Sequence, residues 1–143
     1  MINFVGAGPG AVDLITVRGK ALLEEADLII YAGSLVNPGL LDYAKADCRI
    51  MDSASMTLEE VLAAMKDAEE RGEMTVRLHT GDPCLYGAIR EQMDILDKWG
   101  IAYEYTPGVS SFSAAAAALK AEYTLPGVSQ SVIITRTEGR TPV

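Results

Sequence analysis

Metal-ligating and redox-active side chains are scarce in this sequence. It holds one histidine, His79, and two cysteines, Cys48 and Cys84, which stand far apart with no CxxC spacing. A single imidazole among scattered carboxylates does not make a metal site, so no metal is expected. Two unpaired thiols point to a reducing compartment and away from a disulfide framework. Cations are also in the minority, since 12 Lys and Arg face 20 Asp and Glu for a formal charge of −8. Phosphate contacts need clustered Lys and Arg, so no nucleic-acid partner is expected. A small anionic ligand held by a few local cations is still compatible with that balance. No apolar run approaches the roughly 20 residues of a membrane span. The start, Met1-Ile2-Asn3-Phe4-Val5, has neither a basic n-region nor a cleavage signal. The expectation is a cytoplasmic protein with no membrane partner. No Ser-His-Asp or Cys-His pattern suggests a nucleophilic side chain.

What is present is globular. The 143 residues suffice for one core of ordinary size, and 49% of them are hydrophobic. Strand-like runs at 2–6, 27–31, 49–51, 74–79 and 102–105 alternate with helical patterns at 16–26, 37–44, 57–71, 86–99 and 110–121. Asp27-Leu28-Ile29-Ile30-Tyr31 is too continuously apolar for a half-exposed strand and suits a parallel sheet covered on both faces. Thr57 with Glu60 fits a capping box, and Gly72 and Gly100 are placed to stop helices. The fold class is therefore α/β, a doubly wound, mostly parallel five-stranded sheet with helices on both faces. A further strand is expected at 131–136, with a polar tail after it. Residues 1–130 read as one domain and 131–143 as a connection into a second.

Three glycine-marked loops follow the first, fourth and fifth strands and are expected to meet at one sheet edge, where ligands of open α/β sheets bind. The first is Gly6-Ala7-Gly8-Pro9-Gly10-Ala11. Its Gly-x-Gly-x-x-Ala spacing superficially matches a dinucleotide fingerprint. Pro9 removes an amide donor, however, and the second strand ends Tyr31-Ala32-Gly33 with no acid for a ribose. A tight structural turn is the competing account. The second loop is Arg77-Leu78-His79-Thr80-Gly81-Asp82-Pro83-Cys84-Leu85-Tyr86-Gly87. Its amides and the Asp82 carboxylate could grip a small polar ligand, or Asp82 could cap the next helix. His79 is a candidate for ligand contact or simply a satisfied strand-end residue. The third loop, Pro107-Gly108-Val109-Ser110-Ser111-Phe112, offers two hydroxyls, one of which could cap the alanine-rich helix that follows.

Gly6-Ala7-Gly8-Pro9-Gly10, Thr80-Gly81-Asp82-Pro83 and Pro107-Gly108-Val109-Ser110-Ser111 together resemble the three ordered motifs of the tetrapyrrole methylases. Members of that family transfer a methyl group from S-adenosylmethionine to corrinoid or sirohaem precursors. Tyr31-Ala32-Gly33-Ser34-Leu35-Val36 and Arg136-Thr137-Glu138-Gly139-Arg140-Thr141-Pro142 resemble the precorrin-4 C(11)-methyltransferase branch of cobalamin biosynthesis. The uroporphyrinogen-III branch carries an Asp where Ala32 stands and a Lys in the Ser53 region. The resemblance implies a homodimeric two-domain enzyme about twice this length, with S-adenosylmethionine between the domains. It also implies cofactor contacts at Pro9, Thr80, Gly81, Asp82, Leu85, Ser110 and Ser111, Asp82 as an organiser and not a base. Carboxylates of a corrinoid tetrapyrrole would then need Arg77, Arg136 or Arg140, and His79 could touch the macrocycle. Rival accounts are an RNA ribose methyltransferase or diphthine synthase of the same fold, a non-catalytic binding or dimerisation module, and a dinucleotide-binding domain.

Overall fold

The computed structural model describes residues 1–137. Its strands are β1 (Ile2–Gly6), β2 (Leu28–Tyr31), β3 (Arg49–Asp52), β4 (Thr75–His79) and β5 (Tyr103–Thr106). Its α-helices are α1 (Val17–Glu25), α2 (Leu58–Glu70), α3 (Arg90–Trp99) and α4 (Ser111–Leu119). Two compact units divide the chain, Met1–Ser111 and the segment from Phe112 onward.

In the first unit all strand pairings are parallel and the order is β3-β2-β4-β1-β5. The chain steps outward from β1 through β2 to β3, then returns past β2 and β1 through β4 and β5. α1 and the 3-10 segment Pro38–Tyr43 cover one face, packing Leu23 and Leu40 against Val5, Ile29, Val76 and Leu78. α2 and α3 cover the other, packing Val61, Leu62, Met65 and Leu96 against Ile2, Phe4, Leu28 and Ile30. Every residue of β1 and β4 is buried, as are Leu28, Ile29 and Ile30 of β2, as expected of a parallel sheet covered on both faces. Among the described residues no helix is long and apolar enough to cross a membrane.

Local signals set the helix ends. Thr57 Oγ1 accepts from the Glu60 amide at 3.2 Å while Glu60 Oε2 accepts from the Thr57 amide at 2.7 Å, the expected capping box. Gly100 closes α3 at φ 67. The start of α3 differs from the sequence expectation: the helix opens at Arg90, not at residue 86. Tyr86 and Ala88 adopt φ 56 and 50, a left-handed conformation that no α-helix contains, so residues 86–89 belong to a loop.

In the second unit α4 carries the alanine run, and the Tyr123 hydroxyl donates to the Phe112 carbonyl at 2.6 Å. Leu125 and Ser129 bridge a turn around Gly127. Residues 131–137 have no regular secondary structure, where the alternation predicts a strand. A strand is realised only when a neighbouring edge pairs with its N–H and C=O groups, and among the described residues none pairs with this segment.

Candidate functional site

β4, β1 and β5 lie side by side, so the loops that leave their carboxyl ends are neighbours. The contact between the first two is a continuation of the sheet. The Ala7 amide donates to the His79 carbonyl at 2.6 Å, and Gly8 and Gly81 exchange amide-to-carbonyl bonds of 3.2 and 2.8 Å. Gly8 and Gly81 hold φ 79 and 59, which glycine adopts without a Cβ penalty. The third loop closes on this pair. A Cβ on Gly108 would stand 2.1 Å from the Gly81 carbonyl oxygen, and one on Gly6 would stand 2.5 Å from Gly108 Cα. Three main chains are thus packed with no room for a side chain between them. A Cβ on Gly81 would reach Ser110 Cα at 3.6 Å and the Ser111 amide nitrogen at 3.8 Å, which places both serines beside the second loop.

Asp82 ties the assembly together. Its Oδ1 accepts from the Cys84 amide at 2.9 Å and from the Tyr105 hydroxyl, and its Oδ2 accepts from the Gly108 amide at 3.1 Å. Partial burial alone would raise the Asp82 pKa, but the Tyr105 hydroxyl and the Cys84 and Gly108 donors outweigh it and hold the carboxyl below its usual value. Burial and then the Asp82 carboxylate push the Tyr105 phenol up, so it remains a donor. The carboxylate and then partial burial also raise the Cys84 thiol, which keeps it protonated and unsuited to nucleophilic work. Asp82 does not cap α3, whose preceding residue Ile89 offers no side-chain cap. It joins the second loop to the third.

The first loop is anchored by a residue that sequence spacing did not single out. Asn37 donates from Nδ2 to the Gly10 carbonyl at 2.7 Å while its Oδ1 accepts from the Gly39 amide at 2.9 Å. Its Asn-Pro context marked only a helix start. Tyr105 was missed as well, because a strand tyrosine carries no signal of what its hydroxyl reaches. Pro9 is half-buried between Gly8 and Gly10, and no atom lies within 4 Å of the Cβ position of Gly10. Leu85 is half-buried, its amide donating to the Asp82 carbonyl at 3.2 Å. Thr80 is also half-buried, and among the described residues its hydroxyl and those of Ser110 and Ser111 have no partner. Main chain and hydroxyls are what this edge offers, so a polar ligand could approach the backbone closely.

Arg77 and His79 are placed differently. Both point from β4 into the α2/α3 face, 6% and 4% exposed. Arg77 Nη1 donates to the Ile30 carbonyl and its Nε to Gln92 Oε1, each at 3.2 Å. Burial draws the Arg77 pKa down to about 10. Burial, aided by the Arg77 charge, draws His79 down to about 3, and the imidazole lies against the Phe4 ring. Arg136 is half-buried in the second unit, where its Nη1 donates to the Thr137 carbonyl at 3.4 Å. Arg140 lies outside the described residues.

The dinucleotide account loses its geometry here. A 3-10 turn, Val12–Leu14, separates the glycine loop from α1, whose cap is Thr16, so no helix N-terminus opens onto the loop. β4 also intervenes between β1 and β2, unlike the 3-2-1-4-5 order of dinucleotide folds. Asp27 sits at the far end of β2, bound to Lys45 and the Met74 amide.

Comparison with family models settles the wider relationship: residues 1–142 match the model of the Tetrapyrrole (Corrin/Porphyrin) Methylases. The chain belongs to that family. Among curated tetrapyrrole methylases, cobalt-precorrin-4 C(11)-methyltransferase of Methanocaldococcus jannaschii is 61% identical over 142 residues, which is 99% of this chain and 55% of the relative. The solved structure of a cobalamin biosynthetic methylase, cobalt precorrin-4 methyltransferase, superposes with a TM-score of 0.95 at 51% identity, covering 99% of this chain and 59% of that one. Uroporphyrin-III C-methyltransferase of Thermus thermophilus, solved in complex with S-adenosylhomocysteine, superposes with a TM-score of 0.77 at 28% identity, covering 91% and 56%. This tetrapyrrole methylase chain therefore spans a little over half the length of the relatives it matches.

Proposed function

We propose that this chain is the N-terminal part of an S-adenosylmethionine-dependent methyltransferase that methylates ring carbon 11 of precorrin-4 or cobalt-precorrin-4 in cobalamin biosynthesis. The observation that carries the reading is the 61% identity to the M. jannaschii cobalt-precorrin-4 enzyme along 99% of the chain. The geometry agrees with it. A backbone cradle with free hydroxyls and no catalytic nucleophile suits a reaction whose demands are alignment and exclusion of water.

Bound at this edge, S-adenosylmethionine supplies a methyl group on a sulfonium, to be taken in line by an electron-rich ring carbon. Pro9, Thr80, Gly81, Leu85, Ser110 and Ser111 are the residues we assign to holding it. The open side of Gly10 and the unpartnered hydroxyls support that assignment. Asp82 organises the cradle through Tyr105, Cys84 and Gly108. Arg136 and Arg140 are assigned to the substrate carboxylates, because the guanidinium fork pairs with carboxylates in bidentate fashion. Arg77 and His79, both interior, act without touching substrate. Residues 131–143 lead into a second domain, and the reading extends to a cytoplasmic homodimer.

The test is methyl transfer by the full-length protein to a precorrin-4 substrate, with and without cobalt. The expected product gains a single methyl group at C11. Unchanged precorrin-4 alongside methylated uroporphyrinogen III would move the protein to the other branch.

A further inference from the structure

A buried arginine that has no carboxylate partner among the described residues needs a structural reason, and one emerges from what it touches. Arg77 donates through Nε to Gln92 Oε1, and Gln92, only 4% exposed, donates from Nε2 to the Ala88 carbonyl at 3.1 Å. Ala88 closes the segment between Asp82 and α3, in which Tyr86 and Ala88 both hold left-handed backbone angles. Gly87 between them packs so tightly on Pro83 that a Cβ there would stand 2.2 Å from the Pro83 carbonyl oxygen. Two non-glycine residues at positive φ in one short loop persist only where surroundings over-determine them.

We infer that Arg77 and Gln92 form an interior tether that holds the 83–89 loop in its strained turn and so sets the position of Leu85. They are positioning residues, acting on the cofactor through the loop. Arg77 fixes the orientation of the Gln92 amide by occupying its oxygen, which leaves the NH2 group aimed at Ala88. Its own Nη1 is pinned to β2 through the Ile30 carbonyl, so the anchor is the sheet itself. The link from loop to ligand rests on the proposed methyl-donor site; the tether does not.

Gln92→Glu tests it selectively, because the substituted side chain still accepts from Arg77 but can no longer donate to Ala88. In the full-length protein without ligand, amide hydrogen exchange at residues 85–89 should accelerate by about tenfold while exchange in β1 and β4 is unchanged. Calorimetric titration should show S-adenosylhomocysteine bound about tenfold more weakly than by the unaltered protein. Adding Ala88→Gly, which makes the left-handed turn strain-free, should restore affinity to within about threefold. A role of Gln92 in core packing alone would not respond to Ala88→Gly. Unaltered loop exchange in Gln92→Glu, or weakened binding that Ala88→Gly does not recover, would overturn the tether. An unaltered protein that fails to bind S-adenosylhomocysteine would instead overturn the proposed function, with the exchange rates still reading the tether.

Discussion

Asp82 gives both carboxylate oxygens to the protein, accepting from Tyr105, Cys84 and Gly108. A proton shuttle in that position would have to release two loops at once, which supports the proposal that Asp82 is an organiser. Its role as a constrained carboxylate was readable from the Gly81-Asp82-Pro83 context; its partners were not, since Tyr105 lies on another strand. His79 carries a sharper consequence. Its native pKa of about 3 lies below the ordinary imidazole value of about 6.5, so between those values the unfolded chain binds the extra proton. The His79 contribution to stability is therefore complete above about pH 6.5 and falls as pH drops below it, with a slope of about 1.4 kcal/mol per pH unit between roughly pH 6 and 4. Because His79 is the single histidine of these 143 residues, urea unfolding of the 143-residue chain and of its His79→Phe variant across that range isolates the effect. The variant should lack this slope, and two parallel curves would mean that His79 is protonated in the fold.

At the level of elements, the site depends on three main chains in contact. Gly108→Ala would force a Cβ to 2.1 Å from the Gly81 carbonyl oxygen, so the third loop must move away from the other two. We expect a loss of about 3 kcal/mol together with loss of cofactor affinity. Gly72→Ala is the control: it has φ 72 but open space around its Cβ, and should cost about 1 kcal/mol with affinity intact. Equal effects of the two substitutions in denaturation and binding would mean that the close approach of Gly108 to the second loop does not matter. Helix boundaries set by local chemistry, such as the Thr57–Glu60 box and Gly100, were readable from sequence. The start of α3 was not, because the Ile89, Met93 and Leu96 stripe does not mark where the helix opens and is silent on the positive φ of Tyr86 and Ala88. The strand expected at 131–136 is not formed among the described residues for the complementary reason: pattern alone cannot supply a partner edge.

For the molecule as a whole, the continuous apolar run at 27–31 announced a parallel sheet covered on both faces, and the two core clusters bear it out. Strand order was beyond sequence reasoning, since nothing local records that β4 inserts between β1 and β2. That insertion brings the loops after β4, β1 and β5 together and separates this sheet from dinucleotide folds. We propose that the glycine cradle is an S-adenosylmethionine site, completed by a second domain. Calorimetric titration of the full-length protein with S-adenosylhomocysteine and, separately, with NAD tests it most directly. Saturable binding of S-adenosylhomocysteine and none of NAD is expected, with weaker or absent binding by the 143-residue chain alone. Binding of NAD with indifference to S-adenosylhomocysteine would contradict it.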